Sequence, residues 1–251
     1  MQNSLGKNAL VFGGASGIGW ATARTMLEEG ARVTIADVRR PSGSVDGAAR
    51  YIGCDVRDAG QVSEAVRVAT GEAPLDWLVY STGIQHYGSV VTTPIEEYDL
   101  VQAINARGAF LACRAAIPEM RNGGAIVLVS SVQALACQEG VAAYAASKGT
   151  LEALTRAMAV DHAKDKIRVN SVLPGTVDTP MVRSSAERFG GTNGLEQTLQ
   201  QWGDNHPLGR VAHAEEIANL IAFLLSDKAS FITGASYRID GGLLAQLTVR
   251  L

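Results

Sequence analysis

The sequence predicts an α/β fold: a doubly wound, seven-stranded parallel sheet with helices on both faces, formed by a single domain. Short apolar segments alternate with longer segments of helical period along all 251 residues, which is typical of βαβ units. The apolar segments are continuous, as at residues 125–129, and strands buried on both faces have this pattern. Length alone would permit one large domain or two small ones, but no Pro-, Ser- or Gly-rich linker divides the chain.

In the first half of the chain, each predicted strand is a short apolar segment that ends at a turn signal or a helix. The first precedes a glycine-rich turn, the second ends beside Asp37 and the third ends at Cys54. The fourth leads into the polar segment that begins at Ser81. The predicted strands are residues 9–12, 32–36, 51–54 and 75–80, and the predicted helices are residues 17–29, 59–70 and 95–121.

The second half continues the alternation except for one segment. The predicted strands are residues 125–130, 167–172 and 236–239, and the predicted helices are residues 143–163 and 214–225. Residues 181–207 combine glycines with mixed polar residues and contain no predicted strand. Because α/β proteins place substrate loops after the carboxyl ends of strands, we expect a lid at about 181–207. The alternative is a surface excursion without a role.

Composition narrows the function classes. Hydrophobic residues make up 47% of the chain and charged residues 19%, and the formal net charge is −3, so no basic field favours nucleic acid as a partner. Cys54, Cys113 and Cys137 lack metal-ligand spacing, and we expect free thiols and no metal. Residues 1–8 do not resemble a signal peptide, and no apolar run reaches the roughly 20 residues of a membrane span. The predicted compartment is the cytoplasm, without membrane attachment.

A glycine-rich turn follows the first predicted strand and opens the first helix. Its residues are Gly13, Ser16, Gly17, Ile18 and Gly19. The glycines let the backbone turn tightly and approach a pyrophosphate, and the helix N-terminus supplies free N–H groups and the positive end of a dipole. Because the turn lies between a strand and a helix, the pattern predicts a dinucleotide site.

Asp37 ends the second strand, eighteen residues after Gly19. A carboxylate there accepts hydrogen bonds from a ribose 2′-hydroxyl and repels a 2′-phosphate, which favours NAD over NADP. Arg39 and Arg40 lie close enough to favour NADP instead. Asp55, after the third strand, is a candidate for the adenine edge or for a turn.

Tyr144 and Lys148 are four residues apart, and Ser131 precedes Tyr144 by thirteen. On a helix this spacing places Tyr144 and Lys148 on one face, so the ammonium can lower the pKa of the phenol. A phenol with a lowered pKa can take a proton from an alcohol or give one to a carbonyl, and a neighbouring hydroxyl can hold the same oxygen. The spacing by itself also fits a solvated pair of side chains on a helix face.

Together these residues resemble the short-chain dehydrogenase/reductase family over essentially the whole chain. The markers follow one another in the order that the family shows: Gly13-x-x-x-Gly17-Ile18-Gly19, Asn105, Ser130-Ser131, Tyr144-x-Ala-Ser147-Lys148, Arg168-Val-Asn170, Pro174-Gly175, Thr179 and Asp240-Gly241-Gly242. The resemblance implies a Rossmann fold and hydride transfer between a nicotinamide and an alcohol or carbonyl.

The resemblance also implies roles for individual residues. Tyr144 corresponds to the general acid/base, Ser131 to the residue that orients the reacting oxygen, and Asn105 to the residue that holds a water. Lys148 corresponds to the residue that binds the nicotinamide ribose and lowers the tyrosine pKa. The other implied cofactor positions are Asp55, Val56, Gly83, Pro174, Gly175, Val177 and Thr179.

Two positions depart from the family pattern. Phe12 stands where the family usually has Thr, and Tyr80-Ser81-Thr82-Gly83 stands where it usually has Asn-Asn-Ala-Gly. These positions face one another between neighbouring strands in the family. We therefore expect the rings of Phe12 and Tyr80 to pack together beneath the cofactor.

The substrate is predicted only as a class, a small-molecule secondary alcohol such as a polyol, sugar or hydroxy acid, or the matching ketone. Candidate pocket residues, polar and apolar, are Gln133, Cys137, Gln138, His86, Tyr87, Met181 and Trp202. The alternatives are an NADPH-dependent 3-oxoacyl-carrier reductase, a relative that expels halide without a nicotinamide, and a non-catalytic NAD-sensing module. The family also implies a homotetramer assembled through the helices within 95–121 and 143–163.

Overall fold

The computed structural model describes residues 4–41, 43, 49–71 and 73–247. Seven strands form one sheet, and they are β1 Asn8–Phe12, β2 Arg32–Asp37, β3 Ala49–Gly53, β4 Trp77–Tyr80, β5 Gly124–Val129, β6 Ile167–Pro174 and β7 Ser236–Ile239. All neighbouring strands are parallel, and their order is β3-β2-β1-β4-β5-β6-β7. The predicted fold class is therefore confirmed.

Helices cover both faces of this sheet. The α-helices of the described residues are α1 Gly17–Glu28, α2 Ala59–Thr70, α3 Ile95–Val101, α4 Gly108–Ala116, α5 Ala142–Asp161, α6 Pro180–Phe189, α7 Leu195–Gly203 and α8 Ala214–Leu225. None of them is long and apolar enough to cross a membrane.

The continuous apolar strands are buried on both faces, as their sequence pattern predicts. Successive side chains of a strand point to opposite faces, so Leu10 and Phe12 belong to one core cluster and Ala9 and Val11 to the other. The first cluster includes residues of α2, α4 and α5, and the second includes residues of α1 and α8. Two apolar layers therefore fix the sheet between the helices.

The predicted helix at 95–121 is interrupted. Between α3 and α4 the backbone forms a π-helical segment, Gln102–Arg107, and α4 gives way to a 3₁₀ turn at Ile117–Glu119. Pro118 lies in that turn and has no N–H to continue the α-helical bonding. The π segment contains Asn105, and π turns inside helices are frequent at functional sites.

The strand order reverses between β1 and β4, which lie side by side although two strands separate them along the chain. In open α/β sheets, ligands bind beyond the carboxyl ends of the strands at such a point. The carboxyl ends of β1 and β4 are Phe12 and Tyr80. The turn from β1 to α1 and the segment after β4 therefore meet at this edge.

Candidate active site

The glycine-rich turn between β1 and α1 has no space for a side chain at Gly13 or Gly19. Gly13 has φ +75°, and a Cβ there would lie 2.6 Å from the backbone nitrogen of Thr82, after β4. A Cβ on Gly19 would lie 2.1 Å from the carbonyl oxygen of Gly13. The turn is thus folded tightly against the start of α1 and against the segment after β4.

The N-terminus of α1 is suited to an anion. Ser16 precedes the helix with extended backbone, its side chain makes no capping hydrogen bond within the described structure, and the first turn contains no acidic residue. The first N–H groups of a helix have no acceptor inside the helix. A Cβ on Gly17 would lie 3.1 Å from the methyl group of Thr179, so Thr179 faces this turn, and half-buried Ile18 packs against the core. These residues fit a dinucleotide pyrophosphate.

Asp37 lies at the end of β2 beside the same turn. Its carboxylate accepts hydrogen bonds from the backbone N–H groups of Ala15 at 3.1 Å and Arg39 at 3.0 Å. The Arg40 guanidinium lies 5.1 Å from the centre of the Tyr51 ring, and the Tyr51 hydroxyl donates to the backbone oxygen of Asp37. The carboxylate therefore faces the glycine turn, while Arg40 stacks on β3.

Asp55 and Val56, two predicted cofactor residues, contact other parts of the protein. Two oxygens of Asp55 bind the guanidinium of Arg57, the shortest contact being 2.6 Å, and this hydrogen bond holds the pKa of Asp55 below its usual value. Val56 is buried in the core and would lie within 3.1 Å of a Cβ on Gly108. An adenine contact for Asp55 stays a prediction.

Tyr144 and Lys148 lie on one face of α5, as their spacing predicts. Tyr144 is 8% exposed and Lys148 4% exposed, and the Lys148 Nζ atom is 5.4 Å from the centre of the Tyr144 ring. Lys148 donates a hydrogen bond of 2.8 Å to the backbone oxygen of Val129, the last residue of β5. The carboxyl end of β5 thus anchors the ammonium beside the phenol.

The two consecutive serines after β5 have different contacts. The Ser130 hydroxyl donates to the backbone oxygen of Lys148 at 3.1 Å and fixes α5 to the sheet. The Ser131 hydroxyl accepts the N–H of Gln133 at 3.2 Å and faces Tyr144, whose pKa it lowers. Ser131, at the family's spacing to Tyr144, is therefore the serine available to a substrate oxygen.

Asn105 connects the segment after β4 to α5. Its side chain exchanges two hydrogen bonds of 2.9 Å with the backbone of Ile84 and donates to the Ser147 hydroxyl at 3.0 Å. A Cβ on Gly83 would lie 3.5 Å from the Lys148 Nζ atom and 3.6 Å from the Asn105 Oδ1 atom. Gly83 thus lies within contact distance of both groups.

Burial governs the pKa values of this pair. It raises the pKa of Tyr144 to about 12, although the Ser131 hydroxyl lowers it, and it lowers the pKa of Lys148 to about 8. The sequence led us to expect a lowered phenol pKa. The sign differs because desolvation of the phenolate exceeds the lowering effect of the Ser131 hydroxyl.

The segment after β6 completes this edge of the sheet. Pro174 ends the strand, and a Cβ on Gly175 would lie 2.6 Å from the buried ring of His206. Val177 is buried and pairs with Ala212. The Thr179 hydroxyl accepts the N–H of Val182 and begins α6. Thr179 therefore faces the glycine turn and directly precedes α6, the first helix of the predicted lid.

The lid is fixed to the segment after β4 by Tyr87. Its hydroxyl donates to the Ser185 hydroxyl at 2.5 Å, and its ring contacts the Phe189 ring edge-on with 4.6 Å between centroids. Tyr87 also raises the pKa of Tyr144, so it lies near the Tyr144 phenol. Our sequence reasoning missed Ser185 and Phe189, because their positions on α6 carry no motif.

The other predicted substrate residues differ in exposure. His86 lies 3.1 Å from the Glu97 carboxylate, whereas Cys137 and Gln138 are exposed. Met181 and Trp202 are half-buried on α6 and α7. Gln133 is half-buried, and its side-chain oxygen is buried without a hydrogen-bond partner among the described residues.

Fold and site together define a dinucleotide-binding oxidoreductase, and comparison with known proteins gives the family. Residues 13–244 match the family model described as enoyl-(acyl carrier protein) reductase. The chain is 36% identical to 2-(S)-hydroxypropyl-CoM dehydrogenase 3 of Xanthobacter autotrophicus over 98% of this chain and 100% of that protein. It is 35% identical to a 3-alpha-(or 20-beta)-hydroxysteroid dehydrogenase of Mycobacterium tuberculosis over 97% and 91%.

Solved structures agree with these relatives. Aldohexose dehydrogenase of Thermoplasma acidophilum, in ligand-free form, superposes with a TM-score of 0.95 at 33% identity, over 100% of this chain and 98% of that one. Levodione reductase superposes with a TM-score of 0.90 at 31% identity, over 96% and 98%. The chain belongs to the short-chain dehydrogenase/reductase family, and it is an oxidoreductase that acts on CH–OH donors.

Proposed function

We propose that this enzyme interconverts a secondary alcohol and its ketone with NAD, and that Tyr144 is the general acid/base. The observation that carries the proposal is the meeting of Ser131, Tyr144 and Lys148 at the sheet edge where the glycine turn and Asp37 lie. The substrate is a polyol, sugar or hydroxy acid. The relatives named as hydroxysteroid and hydroxypropyl-CoM dehydrogenases support a hydroxyl-bearing substrate.

The side chains divide the work of proton transfer. Ser131 donates a hydrogen bond to the substrate oxygen and so orients it. Tyr144 accepts the proton of the substrate hydroxyl during oxidation and returns it during reduction. Lys148 supplies a positive charge that favours the phenolate, and Asn105 holds the segment around Gly83 against α5. NAD, held by the glycine turn, Asp37 and Thr179, would supply the hydride acceptor.

The preference for NAD rests on Asp37. Its carboxylate keeps lone pairs for a ribose hydroxyl, and a 2′-phosphate would meet its negative charge. Arg40 supports the same choice, because it stacks on Tyr51. The carrier-linked reductase alternative requires NADPH, so the ratio of the two dissociation constants, measured by cofactor fluorescence, separates the two functions.

Tyr144→Phe tests the catalytic role. The variant keeps the ring and loses the proton-transfer group, so we expect unchanged NAD affinity and turnover reduced by about 10²- to 10⁴-fold. The measurement is NADH formation over a panel of secondary alcohols, with cofactor binding measured in parallel. Tyr98→Phe, on the outer side of α3, is the control. Turnover of Tyr144→Phe within a few fold of wild type would refute the assignment.

We further propose a homotetramer that works in the cytoplasm. Phe110 on α4 is 52% exposed and Val160 on α5 is 79% exposed in the single chain. Apolar side chains of this size on the two helices that the family uses for assembly support an interface there.

A further inference from the structure

Gln133 belongs to the 3₁₀ turn Val132–Ala134, which Ser131 caps. This turn packs against α5, the helix of Tyr144 and Lys148. Both backbone groups of Gln133 are hydrogen-bonded. The N–H donates to the Ser131 hydroxyl at 3.2 Å, and the carbonyl oxygen accepts a hydrogen bond from the Cys137 thiol at 3.4 Å. The backbone of Gln133 is therefore fixed directly to the residue that faces the reacting oxygen.

The side-chain oxygen of Gln133, unlike its backbone groups, has no hydrogen-bond partner among the described residues. This Oε1 atom is buried. Buried polar atoms without a partner are rare, because each loses its bonds to water and gains none. An unpaired acceptor on the residue whose N–H is bonded to Ser131 is suited to a ligand that brings a donor.

We propose that the Gln133 side-chain oxygen accepts a hydrogen bond from a second hydroxyl of the substrate, on a carbon adjacent to the reacting one. This rests on the proposed function and narrows its substrate to vicinal diols, the group that polyols and sugars share. One short turn presents both contacts, since Ser131 faces the first oxygen and Gln133 the second. The acceptor is a neutral amide, so it suits a neutral hydroxyl better than a carboxylate, which has no proton to give.

A matched substrate pair tests the proposal. We compare kcat/KM for a vicinal diol, cyclohexane-1,2-diol, with that for cyclohexanol, using wild type, Gln133→Met and Gln133→Glu. A site built to bond a hydroxyl discriminates strongly against the analogue that lacks it, so wild type should prefer the diol by about 10²-fold or more. Gln133→Met should lose that preference and change less than about 3-fold on cyclohexanol, whereas Gln133→Glu keeps an acceptor and should retain part of the preference.

Glu139→Met, at an exposed position of the same loop, is the control and should keep the wild-type preference. Equal losses on both substrates, or a diol preference that survives Gln133→Met, would overturn the proposal. Oxidation of cyclohexanol without any wild-type preference for the diol would overturn it and leave the proposed function standing. Failure of wild type to oxidise either alcohol, or any other of the panel, with NAD would refute the proposed function itself.

Discussion

Among single residues, Lys148 depends most on its surroundings, because it is charged and almost fully buried. One helical turn later, Glu152 is 6% exposed, and its Oε1 atom has no partner in the structure described. The Glu152 charge raises the pKa of Lys148, against the larger effect of burial. The spacing of four residues along α5 could have revealed this pair from the sequence.

Glu152→Gln should narrow the pH range of activity. In the proposed mechanism Lys148 acts as an ammonium, and that form is lost as pH rises through its pKa of about 8. Removal of the Glu152 charge lowers this pKa further, so we expect the alkaline limb of kcat/KM to move to lower pH. A pH–rate profile with a saturating cofactor measures the shift. Glu64→Gln, on the exposed surface of α2, should leave the profile unchanged, and an unmoved limb in Glu152→Gln would contradict the expectation.

At the scale of elements, Tyr80 connects the sheet to the interrupted helix. The rings of Phe12 and Tyr80 lie 6.1 Å apart at 40°, which confirms the predicted contact between β1 and β4. The Tyr80 hydroxyl donates to the backbone oxygen of Ile104 at 2.5 Å, inside the π segment that contains Asn105. Gly108 leaves the required space, because a Cβ there would lie 2.3 Å from this hydroxyl. Tyr80 therefore stabilises the backbone beside Asn105.

Tyr80→Phe removes this hydrogen bond and keeps the ring contact. We expect the free energy of unfolding to fall by about 1–3 kcal/mol, because the Ile104 oxygen loses a buried donor. Urea unfolding measures the loss, and kcat should fall with it if the π segment also positions Asn105. Tyr98→Phe on the more exposed side of α3 should change neither quantity. A stability of Tyr80→Phe equal to that of wild type would show that the hydroxyl does not hold the segment.

On the scale of the whole molecule, α4 and α5 each expose a large apolar side chain, Phe110 and Val160. In a tetramer assembled through these two helices, as the family implies, both side chains would be buried against a second subunit. The Phe110→Asp/Val160→Asp variant should therefore lower the mass measured by light scattering from that of a tetramer to that of a smaller species. Val91→Asp, in the 92% exposed position before α3, is the control. A wild type that is monomeric at micromolar concentration would contradict the prediction.

Several features of the site followed from local patterns. The glycine turn, the helix after it, and the shared face of Tyr144 and Lys148 depend on neighbours within a few residues, and the structure reproduces each of them. The break of the predicted helix at 95–121 did not follow. One contact at the break comes from Tyr80, which is distant along the chain and reaches Ile104 only in the folded sheet.

The sequence by itself determined the parallel α/β fold and the shared helix face of Tyr144 and Lys148, because strand burial and helix spacing are periodic properties that neighbouring residues encode. Only the tertiary structure decided the sign of the Tyr144 pKa shift, the use of Ser130 as an anchor for α5, and the unpaired oxygen of Gln133. Each of these depends on burial or on contacts between segments that are distant along the chain, and no local pattern carries that information.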